Sequence, residues 1–396
     1  MSKPLHIAIV GAGTAGLAAA IAFRRRGHRV DVFERHDALA TLGAGLLIQP
    51  QGVFALSALG VGSEFTRASV PVVLLEGKCH RGWKLVDVPY GAQEARAVSR
   101  TALAKLLFEA AVDAGANITF DADIEKIGME GEAGTICAGD RRLSFDLVVI
   151  AGGASSPLPA QVGLSVPSTL YKWGALWGMF DVENWPGERI LQQRFRTTRQ
   201  MYGLMPTERV GEKLRLSFFW SLPCDAYAAW KASSLEDWKE QLLDLWPESL
   251  PVVSQIVSHD QLTFASYRHA WPKSLSKPPV CVIGDAAHSM SPQLGLGATL
   301  AVQDALYLAQ YVDMLGLADG LKTFSRKRLR TVHAYQALSR ALTPCFQADS
   351  NGLWRDLLFA LSLHIPGMKY VMHRSVAEPR SSFKKMAGAM PVRQLE

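Results

Sequence analysis

Two stretches that lie far apart in this chain carry residue types suited to holding phosphates and polyols. His6-Ile-Ala-Ile-Val10 runs into Gly11-Ala-Gly13-Thr14-Ala15-Gly16, and Val280-Cys-Val-Ile-Gly284 runs into Asp285-Ala-Ala-His288-Ser-Met-Ser-Pro292-Gln-Leu-Gly295-Leu296-Gly297. The first apolar run reads as a parallel strand buried on both faces. Beyond it, Gly11 permits a tight turn, Gly13 lets backbone approach a pyrophosphate, and Gly16 lets the next helix pack close. That helix, expected from Thr14 to about Arg26, aims its free N-terminal amides at the phosphates. Arg29-Val-Asp-Val-Phe33 reads as the following strand, closed by Glu34. An acid at that point accepts ribose hydroxyls and does not suit a ribose 2′-phosphate, so NADP is not expected in this site. Asp285 stands at the C-terminal end of the second apolar strand, where α/β sheets bind ligands. A ligand long enough to reach both stretches is FAD, with its adenosine half on the first and its ribityl-flavin half on the second.

Gly284-Asp285-Ala-Ala-His288, with Pro292 and Gly295-Leu296-Gly297, resembles the second FAD motif of the class A flavoprotein monooxygenases, the enzymes similar to p-hydroxybenzoate hydroxylase and the ubiquinone-biosynthesis hydroxylases. The order of motifs matches over nearly the whole chain. Arg100-Thr-Ala-Leu103-Ala-Lys-Leu106-Leu107 resembles the family's arginine-headed helix, and Asp146-Leu-Val-Val-Ile150 the strand before its short Asp-Gly motif. The resemblance implies that Arg100 contacts the cofactor, that Asp285 binds the ribityl chain, and that Pro292 to Gly297 lie along the flavin ring. It also implies that the helix starting near Ala298 turns its amides to the flavin edge where negative charge accumulates. The candidate cofactor residues are thus Gly11, Gly13, Thr14, Ala15, Gly16, Glu34, Arg35, Arg100, Asp285, Pro292, Gly295, Leu296, Gly297 and Ala298. The FAD is expected to be non-covalent.

Two departures matter. The family's Ala-Asp-Gly is Ala151-Gly152-Gly153 here, with Pro159 near the expected Arg, and Leu296 stands where many members have Gln. Because the Asp-Gly motif serves both FAD and NAD(P)H, electrons from NADPH or NADH are expected either directly or through a separate flavin reductase. The change at Leu296 is tolerable, since the loop acts through backbone amides.

The 396 residues suggest two or three domains, and 48% hydrophobic with 20% charged residues fits an ordinary enzyme with a large core. The first strand starts within a few residues of Met1, leaving no room for a signal peptide, and no apolar run reaches the ~20 residues that span a bilayer. Five cysteines, scattered and without a CxxC pair, fit a reducing cytoplasm rather than a disulfide framework or metal site. The net charge of +6 comes without a basic stripe of interleaved aromatics, so nucleic acid is not expected as a partner. A basic tail with Arg374, Arg380, Lys384, Lys385 and Arg393 follows the apolar Leu357-Leu-Phe-Ala-Leu-Ser-Leu363; a solvated tail after a packed helix is favoured there over peripheral membrane contact.

The expected architecture is α/β: a Rossmann-type FAD-binding domain (1–70, 96–165 and 276–340) interleaved with a mixed, largely antiparallel β-sheet substrate domain (71–95 and 166–275), then a helical C-terminal region (341–396). Leu214, Leu216, Phe218, Trp220 and Leu222 alternate with Lys213, Arg215, Ser217, Phe219 and Ser221, the period of a strand. Ser233 to Glu236 has capping-box spacing before a helix through Leu245. Helices are expected from about Ala298 to Ser339 and from Leu353 to Leu363. Trp173, Trp177, Tyr202, Phe218 and Trp220 are the candidates for holding a planar apolar substrate, although alternating aromatics more often form core. His288 reads as structural, and no side chain is singled out for catalysis.

The resemblance implies a monooxygenase that inserts one atom of O2 into an aromatic, phenolic or polyketide-like small molecule through a flavin C4a-hydroperoxide, as a monomer or homodimer. The same chemistry fed by a reductase, a flavin dehydrogenase or reductase of this fold, and a non-catalytic flavin-binding protein remain as alternatives.

Overall fold

The computed structural model describes residues 3–39, 44–91 and 94–365. The basic tail and most of the expected C-terminal region lie outside them. His6–Val10, all aliphatic after its first residue, sits inside a six-stranded sheet between Leu147–Ile150 and Arg29–Phe33, paired in parallel to both. Asn117–Thr119 extends the sheet beyond Arg29–Phe33, while Val280–Val282 and then Ser276–Lys277 extend the other side. Both faces of the central strands are covered, which is why their sequences are unbroken β-branched runs rather than alternating ones. Helix Thr14–Arg24 is buried from Ala15 through Phe23 and packs against helix Gly297–Leu315.

The second large sheet has seven strands in the order Thr263–Ala270, Ser168–Val182, Lys213–Pro223, Gln200–Val210, Ile190–Arg196, Leu74–Cys79, Lys84–Pro89. All neighbours are antiparallel except Ile190–Arg196 with Leu74–Cys79. Its two faces have different neighbours. Leu176, Phe180, Tyr202, Leu216, Phe218 and Trp220 form one cluster with Trp238, Leu242, Trp246 and Val252 of the helical segment 235–256. Phe219, Met201, Met205 and Trp177 belong to the opposite face.

This arrangement corrects the choice of substrate aromatics. Tyr202, Phe218 and Trp220 are sealed under helices, with rings 5.1–6.2 Å from one another and from Trp238 and Trp246. They lie on the face away from Trp173 and Trp177, because Phe218 pairs with Gly178 and Trp220 with Leu176, one position out of phase. The phase of Lys213–Pro223 that looks more polar, Ser217, Phe219 and Ser221, is the one turned toward the cofactor half: Ser217 Oγ accepts from the Gly45 N–H at 2.9 Å.

Local boundaries also shift. Helix Leu235–Leu245 is capped by Ser234, whose side chain accepts from the Asp237 N–H, and Ser233 instead donates to the Trp230 carbonyl. The long C-terminal helix divides at Gly316, with φ of 76°, into Gly297–Leu315 and Leu317–Phe346.

Phe218→Ala is expected to lower unfolding free energy by about 3–5 kcal/mol, the usual result of emptying a packed aromatic site. Urea denaturation measures that loss, and an unchanged KM for any substrate turned over would separate core from pocket.

Candidate active site

The two sequence-distant stretches meet in space. Gly284 adopts φ 61° and ψ −146°, and a Cβ built there would lie 2.6 Å from the Ala15 Cβ. The turn before Asp285 therefore rests directly on the first turn of the glycine-loop helix.

Each glycine of the first loop has its own reason. Gly11 sits at φ 109°, and a Cβ on it would come 2.6 Å from the Ala151 carbonyl oxygen. A Cβ on Gly16 would lie 1.9 Å from the Gly11 carbonyl oxygen, so this residue sets how closely helix and loop approach. Gly13 would meet nothing within 4 Å, leaving that side of the loop clear for a diphosphate. Helix Thr14–Arg24 has no side-chain cap, so its first amides remain for an anion. Glu34 accepts from the Ala12 N–H at 2.7 Å and the His36 N–H at 3.1 Å, which fixes its carboxylate beside the loop. Arg35 is exposed next to it, its Nε 3.4 Å from His36 Nε2.

The second segment hangs from a buried charge cluster. Asp304, on helix Gly297–Leu315, accepts from the Gly284 N–H at 3.0 Å, His288 Nε2 at 2.5 Å and Arg328 Nε at 2.8 Å. Burial alone would raise the Asp304 carboxyl, but the His288 ring and the Arg328 guanidinium outweigh it and hold the group down at about 2. His288 is thereby placed as a structural residue. Asp285, one residue past the Gly284 turn, is exposed and unpaired by any salt bridge among the described residues.

Pro292–Leu294 forms a single turn, Gly295 takes the left-handed conformation at φ 57°, and the helix begins at Gly297 rather than Ala298. Gly297 is in ordinary helical conformation; a Cβ there would reach only Asp285 Oδ1, at 4.0 Å. Leu296 packs inward with Leu294 and Leu300. With no side-chain cap, the first amides of the helix, including that of Ala298, lack intrahelical partners. Gln49, not singled out from sequence, clamps this loop: its N–H donates to Thr299 Oγ1 at 3.0 Å and its Nε2 to the Leu294 carbonyl at 3.1 Å.

Between the two halves lies an aromatic group that sequence reasoning caught only in part. Trp177 Nε1 donates to Tyr267 Oη at 3.0 Å, and its ring lies 5.3 Å from Phe219. Burial pushes the Tyr267 hydroxyl up to about 12, opposed by the Trp177 hydrogen bond and the nearby Arg100 charge. Arg100 heads helix Arg100–Asp113, and its Nε is buried without a hydrogen-bond partner. A small cavity of about 170 Å³ joins Tyr267 to Asp285, Ser289, Ala154 and Ser155. A larger one, about 760 Å³ and open to solvent, runs between the sheet and Ser99, Thr101 and Lys105. Trp173 is buried on the Trp177 side of its strand.

These residues fit FAD. The clear side of Gly13, the fixed Glu34 carboxylate, the partnerless Arg100 Nε, the exposed Asp285 and two uncapped helix N-termini are the groups a dinucleotide with a flavin would use. A model of the FAD binding domain family matches residues 5–339. The chain belongs to that family. It is an FAD-dependent monooxygenase with the class A flavoprotein hydroxylase fold. It is 29% identical to a probable 2-heptyl-3-hydroxy-4(1H)-quinolone synthase of Rhodococcus erythropolis, over 80% of this chain and 82% of that protein. The crystal structure of a 2-methyl-3-hydroxypyridine-5-carboxylic acid oxygenase variant superposes with a TM-score of 0.78 at 21% identity, over 91% of this chain and 97% of that one. Pseudomonas aeruginosa PqsL in complex with 2-aminobenzoylacetate gives 0.78 at 21% identity, over 90% and 99%.

Gly16→Ala should lower the melting temperature, since the loop must move to admit the methyl group, whereas Gly13→Ala should leave folding intact and weaken FAD binding. Thermal melts and flavin titration separate these outcomes, and Glu34→Ala should cost about 1.5–3 kcal/mol of FAD affinity. Asp304 carries its own pH signature. Because its folded carboxyl lies below the unfolded value, its stabilisation is complete above about pH 4 and disappears as pH falls toward 2. Asp304→Asn should destabilise the protein by about 3–5 kcal/mol at neutral pH by leaving Arg328 buried and unpaired. Chemical denaturation from pH 7 downward should show the gap between wild type and variant closing in acid.

Proposed function

We propose that this monooxygenase hydroxylates a planar, electron-rich ring, with a nitrogen heteroaromatic of the quinolone or hydroxypyridine class as the favoured substrate. The observation that carries this reading is the Trp177–Tyr267–Arg100 group, in which two sheet residues meet the head of helix Arg100–Asp113 and Tyr267 shares a cavity with Asp285. Trp177, half-buried beside Tyr267, offers flat apolar surface to a ring. The Tyr267 hydroxyl, neutral at physiological pH, can donate to a ring carbonyl or hydroxyl. The named activities of the quinolone synthase and the pyridine oxygenase support the heteroaromatic choice.

Bound FAD supplies the redox chemistry and the activation of O2, as cofactors do. The chain's own residues do the rest in this reading. The Gly11–Gly16 loop and Glu34 hold the adenosine half, and Asp285 the ribityl hydroxyls. The amides at the start of helix Gly297–Leu315 would face the flavin ring and favour negative charge there. Leu294, Leu296 and Leu300 keep water from beneath the loop.

The electron route is the second part of the proposal. Gly152 stands where the family carries Asp, and its neighbours Ala154 and Ser155 line the same small cavity as Asp285. Without a carboxylate there, we assign reduction to a separate flavin reductase, with NADPH or NADH as the ultimate donor. A Cβ at Gly152 would lie 3.2 Å from Ser156 Oγ, a contact that rotation of one serine relieves.

Anaerobic stopped-flow spectroscopy tests this. Bleaching of the wild-type flavin by NADPH should be much slower than turnover driven by a reductase, and Gly152→Asp should speed it. Rapid bleaching of the wild type by NADPH would return the reading to a single-component enzyme.

A further inference from the structure

The larger cavity has a structural cause. Strand Thr263–Ala270 ends opposite Trp177, so among the described residues no strand covers 178–182 on that edge of Ser168–Val182. The cavity of about 760 Å³ opens there, between Met179 and Asp181 on one wall and Ser99, Thr101 and Ala102 on the other. Its volume suits a small organic molecule.

The cavity adjoins the Trp177–Tyr267–Arg100 group on both walls. Met179 lies two residues beyond Trp177 and pairs directly with Ser217, so all three side chains face the cofactor half. Same-face neighbours on one strand stand roughly 7 Å apart. On the opposite wall, Arg100 stands between Ser99 and Thr101, and its N–H donates at 3.0 Å to the carbonyl of Ala44, which also lines the cavity. Ala44 leads into strand Gly45–Ile48, whose Leu47 Cβ lies 3.8 Å from where a Cβ on Gly295 would be. The open space thus borders the sheet residues and the loop that would receive ring and flavin. FAD held by Asp285 would occupy the smaller cavity, which leaves the larger one as the way in.

Its walls suit passage rather than capture, because their polar groups already satisfy one another. Arg215 gives Asp181 two hydrogen bonds, at 2.6 and 3.0 Å, and Glu208 one at 3.4 Å. Gln255 Nε2 donates to the Asp181 carbonyl, and Gln261 Nε2 to the Gln255 carbonyl. None of the lining residues has a buried side-chain polar atom without a partner, whereas Arg100 just beyond them does. Charge points the same way. Arg215 and Lys105 face three carboxylates, those of Asp181, Glu208 and Glu109, so no cation is left over for an acidic substrate.

We propose that this cavity is the entrance through which an uncharged planar ring reaches Trp177 and Tyr267. The route rests on the ring-hydroxylating reading above and adds to it how the ring enters and what charge it carries.

The test is stopped-flow mixing of the oxidised, FAD-bound protein with 4-quinolone, followed by the change in flavin absorbance. Thr101→Trp and Met179→Trp narrow the cavity from opposite walls. Each should slow association and dissociation together by about tenfold and leave Kd within about twofold, because a constriction raises the barrier equally in both directions. Quinoline-4-carboxylate should associate more slowly than 4-quinolone, by a margin that shrinks with salt. Flavin content and melting temperature show whether a variant is damaged, and the other then carries the test. Unchanged association in both variants, or a weakened Kd with unchanged association, would overturn the proposal. So would a carboxylate that enters as fast as the neutral ring. Failure of the ring-hydroxylating reading looks different: neither 4-quinolone nor 3-hydroxypyridine would perturb the wild-type flavin, and the entrance would fall with it.

Discussion

A carboxylate with no access to water holds the catalytic half of this protein together. Asp304 collects a backbone amide, an imidazole and a guanidinium from two segments: the Gly284 turn with the short helix Asp285–His288 that it caps, and helix Leu317–Phe346. Burying such a charge costs several kcal/mol unless each partner is in place, so the arrangement is close to all-or-none. Its consequence is positional. With Gly284 tied to Asp304 and pressed against Ala15, neither cofactor segment can shift without the other. The enclosure of helix Thr14–Arg24 follows, because that helix lies against the one bearing Asp304.

The seven-stranded sheet solves a different problem with the same economy. One face must bury a helical layer, and the other must meet the cofactor half without a thick core between them. Small polar residues do the second job: Ser217 bonds Gly45, and Ser221 bonds the Met201 amide within the sheet. A Cβ on Gly45 would lie 2.8 Å from both Ser217 Cβ and Thr207 Oγ1, so the approach of the two layers depends on the lack of a side chain there. The larger groups on this face are Trp177, half-buried beside Tyr267, and Phe219, which packs flat over Gly203.

These two regions differed in how readable they were. The glycine loop and the Asp285 segment were legible because backbone requirements restrict residue type: left-handed turns, close helix approach and free amides leave few alternatives to glycine. The family likewise followed from motif order. Period-two alternation in Lys213–Pro223 revealed a strand but not which phase faced which layer, and the more apolar phase proved to be the one beneath helices. Tyr202, Phe218 and Trp220 all lie on the face buried under those helices. Tyr267 and Gln49 gave no local signal, since their importance comes from partners far away in sequence. Asp304 does carry a local signal: an aspartate within Leu300-Ala-Val-Gln-Asp304-Ala-Leu306 breaks a largely apolar helix and calls for a buried partner.

The assembly of the site from distant segments also sets how cofactor and fold depend on each other. Gly13, Glu34, Arg100, Asp285 and the start of helix Gly297–Leu315 come together only in the folded chain, so an unfolded chain offers FAD no comparable site. A ligand that binds the native state alone stabilises it in proportion to the logarithm of its excess over Kd. FAD bound across these groups would therefore also tie the glycine loop, the arginine-headed helix and the Gly284 turn to one another. The free amides and the partnerless Arg100 Nε are costly features for a protein designed only to fold. FAD lying along the path from Gly13 to Gly297 would supply partners to groups that the fold itself leaves open.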